Sequence, residues 1–144
     1  MNRYVSKIIK KFKKKNLKIY KGIAVSKTEV YQSHRFAFCY ENVLDKPGYF
    51  CELIFDAMNN GCVPIYRGCN NIDKYIPENC FIDQRNFKNN FEIYEFIKNM
   101  KEDIFVEYQK NINSFLESKK KNIFTVDFFS NEIIKHIKKD LSKN

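Results

Sequence analysis

Apolar and polar positions along the chain alternate between short apolar runs and longer segments with apolar residues at helical spacing. The short runs are rich in aromatic and β-branched residues, which is typical of strands, and the longer segments indicate amphipathic helices. Such alternation predicts an α/β fold, a parallel sheet with helices on both faces. In chain order, the predicted elements are a helix near Tyr4–Lys15, a strand at Leu17–Tyr20, a short helix near Thr28–Gln32, a strand at Phe36–Tyr40, a helix at about Phe50–Asn60 closed by Gly61, a strand at Cys62–Tyr66, a helical turn near Ile72–Tyr75, a strand at Cys80–Ile82, and helices at Phe91–Met100, Ile104–Phe115 and Val126–Lys138.

Length and composition predict one globular domain. The chain has 144 residues, of which 44% are hydrophobic and 16% aromatic, enough to form a single core. Neither an internal repeat nor an interdomain linker is visible in the sequence. We therefore expect one domain over residues 1–144, with a core at about 17–87 and a helical C-terminal part at about 91–140.

The absence of targeting signals and the spacing of the cysteines indicate where the protein is located and what state its thiols are in. No apolar run approaches the roughly 20 residues that span a bilayer, and the N-terminus lacks a secretory signal, so a cytoplasmic location is expected. The cysteines show no Cys-x-x-Cys spacing, and most lie in apolar runs, which predicts buried reduced thiols and no metal site. They are Cys39, Cys51, Cys62, Cys69 and Cys80.

Charge is concentrated at the N-terminus. The formal net charge is +9, and no acidic residue precedes Glu29. A solvated outer helix face is one interpretation; peripheral contact with a membrane through lysine-rich helices, or attraction to a phosphate-bearing ligand, is another. Nucleic-acid binding is disfavoured because no recognisable binding motif accompanies the charge. The basic residues of this segment are Arg3, Lys7, Lys10, Lys11, Lys13, Lys14, Lys15, Lys18, Lys21 and Lys27.

Polar residues follow the strand at Phe36–Tyr40, where Glu41 and Asn42 end it. Ligands of open parallel sheets bind at the carboxyl ends of the strands, beside the N-termini of the following helices. Here the next helix is expected to begin near Tyr49 or Phe50, which places Glu52 in its first turn. A carboxylate at that position either stabilises the helix end or accepts hydrogen bonds from sugar hydroxyls, and the pattern leaves both interpretations open.

The run RFAFCYENVLDKPGYFCELIFDAMNNGCVPIYRGCNNIDKYIPENCFIDQRNF, residues 35–87, resembles the donor-binding half of the family 10 glycosyltransferases, which are fucosyltransferases. That family typically has a basic residue and Phe, a few apolar residues and Glu-Asn, then Gly-Tyr-(Val/Ile)-Thr-Glu-Lys and a helix. After that helix come Gly-x-(Val/Ile)-Pro-(Ile/Val)-Tyr-Trp-Gly, a Pro-containing loop, Ser-Phe-Ile-Asp and a downstream Phe. The strict match covers a little over a third of the chain, and its many ordered positions make it specific.

This resemblance implies a Rossmann-like domain that forms the C-terminal half of a GT-B glycosyltransferase. It implies GDP-fucose as donor substrate, with no permanently bound cofactor, and transfer of fucose to an acceptor glycan with inversion. By position, Asn42 matches the family asparagine near the fucose, and Tyr49 and Glu52 match the Tyr and Glu that line the donor site. Arg3 matches the arginine that neutralises the diphosphate.

Three positions depart from the family pattern. Leu53 stands where the family has its diphosphate-binding lysine, and Cys51 replaces the threonine of the same motif. Arg67 replaces the tryptophan before the loop glycine. Since Arg67 should lie at the carboxyl end of a strand, one hypothesis is that it restores the lost charge; the alternative is a surface arginine that pairs with Asp73 or with nothing.

The family's acceptor-side domain, which supplies the general base, precedes the donor half, and we expect that domain to be absent here. No residue is assigned as general base; His34 is interpreted as structural and His136 as a surface residue. The chain is thus interpreted as a fucosyltransferase-like enzyme, or its donor half, that needs an N-terminal domain or a partner chain. The alternatives are a catalytically impaired sugar-nucleotide-binding module, another glycosyltransferase such as the exostosin type, and a basic adaptor for membranes or nucleic acid.

Overall fold

The structure is a computed structural model that describes residues 22–142. The predicted helix near Tyr4–Lys15, the predicted strand at Leu17–Tyr20 and the candidate residue Arg3 lie outside this range. In the described range, no helix is both long enough and apolar enough to cross a bilayer.

Five helices and three strands, joined in part by 3-10 turns, make up the described residues. The helices are α1 (Lys27–Gln32), α2 (Leu53–Asn59), α3 (Asn90–Lys98), α4 (Glu102–Glu117) and α5 (Val126–Leu141), and the strands are β1 (Phe36–Tyr40), β2 (Val63–Arg67) and β3 (Ile82–Asp83). The 3-10 turns are Ile72–Lys74, Glu78–Cys80, Gln84–Asn86 and Lys119–Phe124. The predicted order of elements after residue 27 is therefore confirmed, and β1 has the predicted bounds.

The strands form a parallel sheet in the order β1-β2-β3. Strand β2 is central, and its residues Val63 to Tyr66 are all buried, which explains why its sequence is apolar without alternation. Phe36 pairs with Val63 and Tyr40 with Arg67, so the carboxyl ends of β1 and β2 are level. This register brings the loops that follow the two strands together at one edge.

Helices cover both faces of the sheet, as predicted. On one face of β1, the Cys39 thiol donates a hydrogen bond to Leu53 O at the start of α2. Phe36 points to the opposite face and packs edge-on against Phe105 of α4, with ring centroids 5.6 Å apart. On that second face, Phe38 remains 55% exposed, so α4 covers only the amino-terminal part of β1.

Two predicted boundaries are wrong for local reasons. Helix α2 begins at Leu53, since the first hydrogen bond of its i→i−4 series runs from the Asp56 N–H to Glu52 O, at 2.8 Å. Strand β3 begins at Ile82, since Glu78–Cys80 forms a 3-10 turn whose Cys80 N–H donates to Pro77 O at 2.9 Å. Gly61 ends α2 as predicted, with a φ of 83° that favours glycine.

The predicted buried thiols are confirmed for Cys39, Cys62, Cys69 and Cys80, whereas Cys51 is half-buried. Burial raises the pKa of the Cys39 thiol from its ordinary value of 9.0 to about 12, and that of Cys80 to about 11. These groups are held protonated, which suits a structural role and lowers their reactivity.

We expect the free energy of unfolding to fall as the pH rises from about 9 towards 12, because the unfolded chain releases the Cys39 proton that the folded chain retains. Below pH 9 this contribution is complete, and it is lost progressively as the pH approaches the folded pKa. Urea unfolding of the wild type and of Cys39→Ala between pH 8 and pH 11 measures it. The variant should lose less stability per pH unit, and parallel pH profiles would contradict the assignment.

Candidate functional site

The loop that joins β1 to α2, residues 41–52, is bound to the loop that follows β2. The Glu41 N–H donates to Arg67 O at 2.9 Å, and the Asp45 N–H donates to Gly68 O at 2.9 Å. The Gly48 N–H donates to the Asn71 side-chain oxygen, also at 2.9 Å. These bonds hold the β1–α2 loop in one position at the carboxyl edge of the sheet.

Glu41 is the buried centre of this arrangement. The residue is only 7% exposed, and its Oε1 accepts a hydrogen bond from the Cys51 N–H at 3.0 Å. A Cβ on Gly68 would collide with Cγ of Glu41 and would lie 2.5 Å from the Tyr66 hydroxyl. Position 68 therefore requires glycine for lack of space, and the carboxylate fixes residues 41 and 51 together. Sequence reasoning named Glu41 only as the edge of the strand.

Tyr66 holds the loop that follows β2. Its hydroxyl accepts a hydrogen bond from the Cys69 N–H at 2.9 Å, and its ring packs edge-on against Phe81. Burial raises the pKa of this phenol, so that it remains neutral. The family-like sequence Ile-Tyr-x-Gly thus supplies a buried hydroxyl and, two residues later, a glycine against which the Glu41 side chain packs.

Asn42 and Tyr49 both lie on the open side of the loop. Asn42 is exposed, and its side chain makes no hydrogen bond to any residue between 22 and 142. Tyr49 is 36% exposed, and the Lys46 ammonium lies 5.7 Å from its ring centroid. The loop thus presents an amide, a phenol and a cation at the surface of the sheet edge.

Glu52 occupies the N-cap position of α2, but its side chain makes no capping hydrogen bond. Its Oε1 lies 3.7 Å from the Lys27 ammonium, which also pairs with Asp56 at 2.5 Å. Asp56 raises the pKa of Lys27, through a hydrogen bond first of all. Glu52 is largely exposed and keeps most of its hydrogen-bonding capacity for another group.

Arg67 lies at the carboxyl end of β2, as predicted, with about a quarter of its side chain exposed. Its guanidinium pairs with Asp45 at 3.2 Å, so the predicted alternative of pairing with Asp73 is wrong. Leu53, by contrast, is half-buried and packs against the core. The first turn of α2 therefore has no cation at residue 53. Arg67, at the end of β2, is the cation that lies near this loop.

Arg85 is a residue that sequence reasoning missed. Its Nε donates to both oxygens of Asp83, at 3.0 and 2.9 Å, and its Nη1 donates to Asn70 O at 2.9 Å. The hydrogen bonds and charge of Asp83 raise the pKa of the Arg85 guanidinium. The signal available in the sequence is an Asp at the end of an apolar run with Arg two residues later. This pair joins the end of β3 to the loop after β2.

The two histidines are engaged with helix carbonyls. A ring nitrogen of His34 lies 2.8 Å from Val30 O, and one of His136 lies 2.8 Å from Glu132 O. These contacts match the structural and surface interpretations of the two residues. Residues 22–142 contain no cluster of three or more His, Cys, Asp or Glu side chains able to hold a metal ion.

The site is an open surface. A cavity of about 620 Å³ lies beside β3, lined in part by Arg85, Phe81 and Phe87, but none of the predicted site residues lines it. The structure joins Arg67 to the loop that carries Asn42 and Tyr49, whereas Glu52 faces Lys27. Cations and hydrogen-bonding groups at one sheet edge can hold a phosphorylated ligand and stabilise charge that develops on a departing phosphate.

We expect Gly68→Ala to destabilise the fold by about 1–3 kcal/mol, since the added methyl group collides with Glu41 and Tyr66 in a fully packed space. Urea unfolding at neutral pH measures the loss. Asn70→Ala, two residues along the same loop at an exposed position, is the matched control and should change stability by less than about 0.5 kcal/mol. Equal effects of the two variants would show that the packing at Gly68 is not required.

Comparison with known proteins gives the family. The family model described as "Glycosyltransferase family 10 (fucosyltransferase) C-term" matches residues 7–138. A curated relative, the alpha-(1,4)-fucosyltransferase of Arabidopsis thaliana, is 30% identical over 70 residues, which is 49% of this chain and 17% of that protein.

Solved structures of α1,3-fucosyltransferase share the fold. One with GDP-fucose aligns with a TM-score of 0.57 and 26% identity, over 65% of this chain and 28% of that one. Another with GDP aligns with a TM-score of 0.55 and 25% identity, over 65% and 28% of the two chains. The chain thus spans less than a third of the length of these relatives. It belongs to glycosyltransferase family 10, the fucosyltransferases, and corresponds to the C-terminal region of that family.

Proposed function

We propose that the chain binds a nucleotide sugar, GDP-fucose, at the carboxyl edge of its sheet and acts as the donor-binding half of an inverting fucosyltransferase. The observation that carries the proposal is the loop of Asn42 and Tyr49, anchored through Asp45 beside the Arg67 guanidinium. The family match, and the presence of GDP-fucose and GDP in matched structures of α1,3-fucosyltransferase, support it.

The roles follow from the chemistry of each group. Arg67 faces the diphosphate, which gains negative charge as the bond to fucose breaks, and a fixed cation lowers that barrier. The Asn42 amide and the Tyr49 phenol hydrogen-bond fucose, and Glu52 accepts from ribose or fucose hydroxyls. Leaving one such group unpaired in a closed complex costs about 1–3 kcal/mol, which gives the sugar its specificity. Arg3, outside the described residues, keeps its proposed role at the diphosphate.

The second substrate is an acceptor glycan. Its hydroxyl oxygen attacks the anomeric carbon of fucose while the bond from that carbon to the diphosphate oxygen breaks, which inverts the configuration. A general base takes the hydroxyl proton, and GDP leaves with the electron pair of the broken bond. We place that base, and the acceptor contacts, on an N-terminal domain or a partner chain.

A second candidate function is binding of a sugar nucleotide with little turnover. Leu53 packs against the core where the family has its lysine, and Arg67 is already paired with Asp45. Both observations reduce the positive charge available to a leaving diphosphate. On this interpretation the chain acts by interaction, and the donor occupies the same edge.

Titration of GDP-fucose, GDP-mannose and UDP-glucose into the chain by isothermal calorimetry tests donor binding. We expect saturable binding of GDP-fucose and competition by GDP. We expect no binding of UDP-glucose, because UDP-glucose differs from GDP-fucose in both base and sugar. The absence of saturable binding to every nucleotide would overturn the proposal. Transfer of fucose by the isolated chain to a glycan acceptor would overturn the second candidate function, in which the chain binds a sugar nucleotide with little turnover.

Substitution of Arg67 tests the assigned diphosphate cation. We expect Arg67→Ala to weaken GDP binding about tenfold or more, equivalent to about 1.4 kcal/mol, because a charged hydrogen bond is lost. Asp45→Asn should strengthen GDP binding, since it removes the carboxylate that neutralises Arg67. Arg35→Ala is the matched control, because Arg35 pairs with Glu102 at the other end of β1. Equal GDP affinities of Arg67→Ala and the wild type would exclude this role.

A further inference from the structure

The C-terminal helix α5 is exposed along its whole length. None of its residues is buried, and it packs against the turn at Lys119–Phe124. Six large apolar side chains are nevertheless between 44% and 78% exposed: Val126, Phe129, Ile133, Ile134, Ile137 and Leu141. Helices of single domains normally bury such side chains, so this surface points to a partner.

The six side chains lie on one face of the helix. At 100° per residue, they fall within an arc of ~140°, and the lysines lie outside it. The Thr125 side chain caps the start of α5 by accepting a hydrogen bond from the Phe128 N–H. The helix is therefore capped at its start by its own sequence and presents an apolar stripe, which we call the α5 face.

The charged side chains outside the α5 face are segregated by sign along the helix. Asp127 and Glu132 lie in the first half of the helix, and Lys135, Lys138 and Lys139 in the second. Asp127 and Lys138 lie on the same flank, within ~20° of each other and about three turns apart. In an antiparallel pair of identical helices, the same flanks meet, so Asp127 of one copy faces Lys138 of the other, and the two-fold axis repeats this contact.

We propose that the α5 face binds the α5 face of a second copy of this chain, antiparallel, with Ile133 near the two-fold axis. Phe129 of each copy packs close to Ile137 of the other, and the Asp127–Lys138 contacts fix the orientation. A lipid surface fits less well, because acidic side chains and lysines balance in number along α5 and the polar residues Ser130 and Asp140 lie within the apolar arc.

The pair should be weak. A helix of this length spans ~24 Å, so two of them bury an area at or below the low end of specific interfaces, which is about 1,200 Å² in total. We therefore expect a dimer that forms with rising concentration.

Sedimentation equilibrium of the chain, from micromolar to near-millimolar concentration, tests the pairing. We expect a monomer–dimer equilibrium in the wild type and a dissociation constant at least tenfold higher in Ile133→Asp. Since no residue of α5 is buried, circular dichroism and thermal unfolding should show both proteins folded. A wild type that stays monomeric at every concentration, or a dimer that Ile133→Asp leaves intact, would overturn the proposal.

Charge reversal distinguishes the antiparallel pair from other occupants. Asp127→Lys and Lys138→Asp should each weaken the dimer several-fold, and the double variant should restore it, because the opposite charges then face each other again. Lys135→Asp, on the far side of the helix, is the matched control and should leave the dissociation constant unchanged. Failure of the double variant to restore pairing rejects this geometry. If the monomer instead sediments with phosphatidylserine vesicles, and Asp127→Lys increases the bound fraction, the α5 face binds a membrane and the dimer is rejected.

Discussion

A buried carboxylate holds the candidate site together. Glu41 sits beneath Gly68, accepts the Cys51 N–H and so joins the end of β1 to the last residues before α2. A buried polar group is costly unless a hydrogen bond satisfies it, and a loop amide does so here. The exposed Asn42 and Tyr49 take their positions from a residue that is itself buried.

The sequence predicted the parallel sheet well because its signal is local. Apolar runs of strand length, separated by glycine and proline, identified β1 with its observed bounds and β2 to within a residue. The central place of β2 in the sheet came from the structure and accounts for its unbroken apolar run. The predicted start of α2 was wrong because helical spacing continues back through Tyr49 and Phe50, whereas the backbone hydrogen bonds of the helix begin only at Glu52 O. Periodicity locates a helix along the chain and does not specify its first residue.

The site was predictable in position and only partly in contacts. The rule for strand ends placed Glu41, Asn42 and Arg67 at one edge, and the register of β1 with β2 confirms it. The pairing of Arg67 with Asp45 joins residues 22 apart in the sequence, and the contact of Glu52 with Lys27 joins two helices. No spacing rule specifies either pair. Arg85 was missed for the same reason, since its importance comes from the Asn70 carbonyl in another loop.

The two arginines near this edge are already paired with carboxylates. Arg67 faces Asp45 and Arg85 faces Asp83, so neither guanidinium is a bare cation waiting for phosphate. A diphosphate would compete with Asp45 for Arg67 in a partly exposed place, where solvent weakens the existing pair, while Arg85 is held by two oxygens and a carbonyl. The pair that would yield is therefore Arg67–Asp45. The proposed donor site would then combine a fixed frame, made of Glu41, Gly68 and Arg85, with one cation that exchanges Asp45 for the diphosphate.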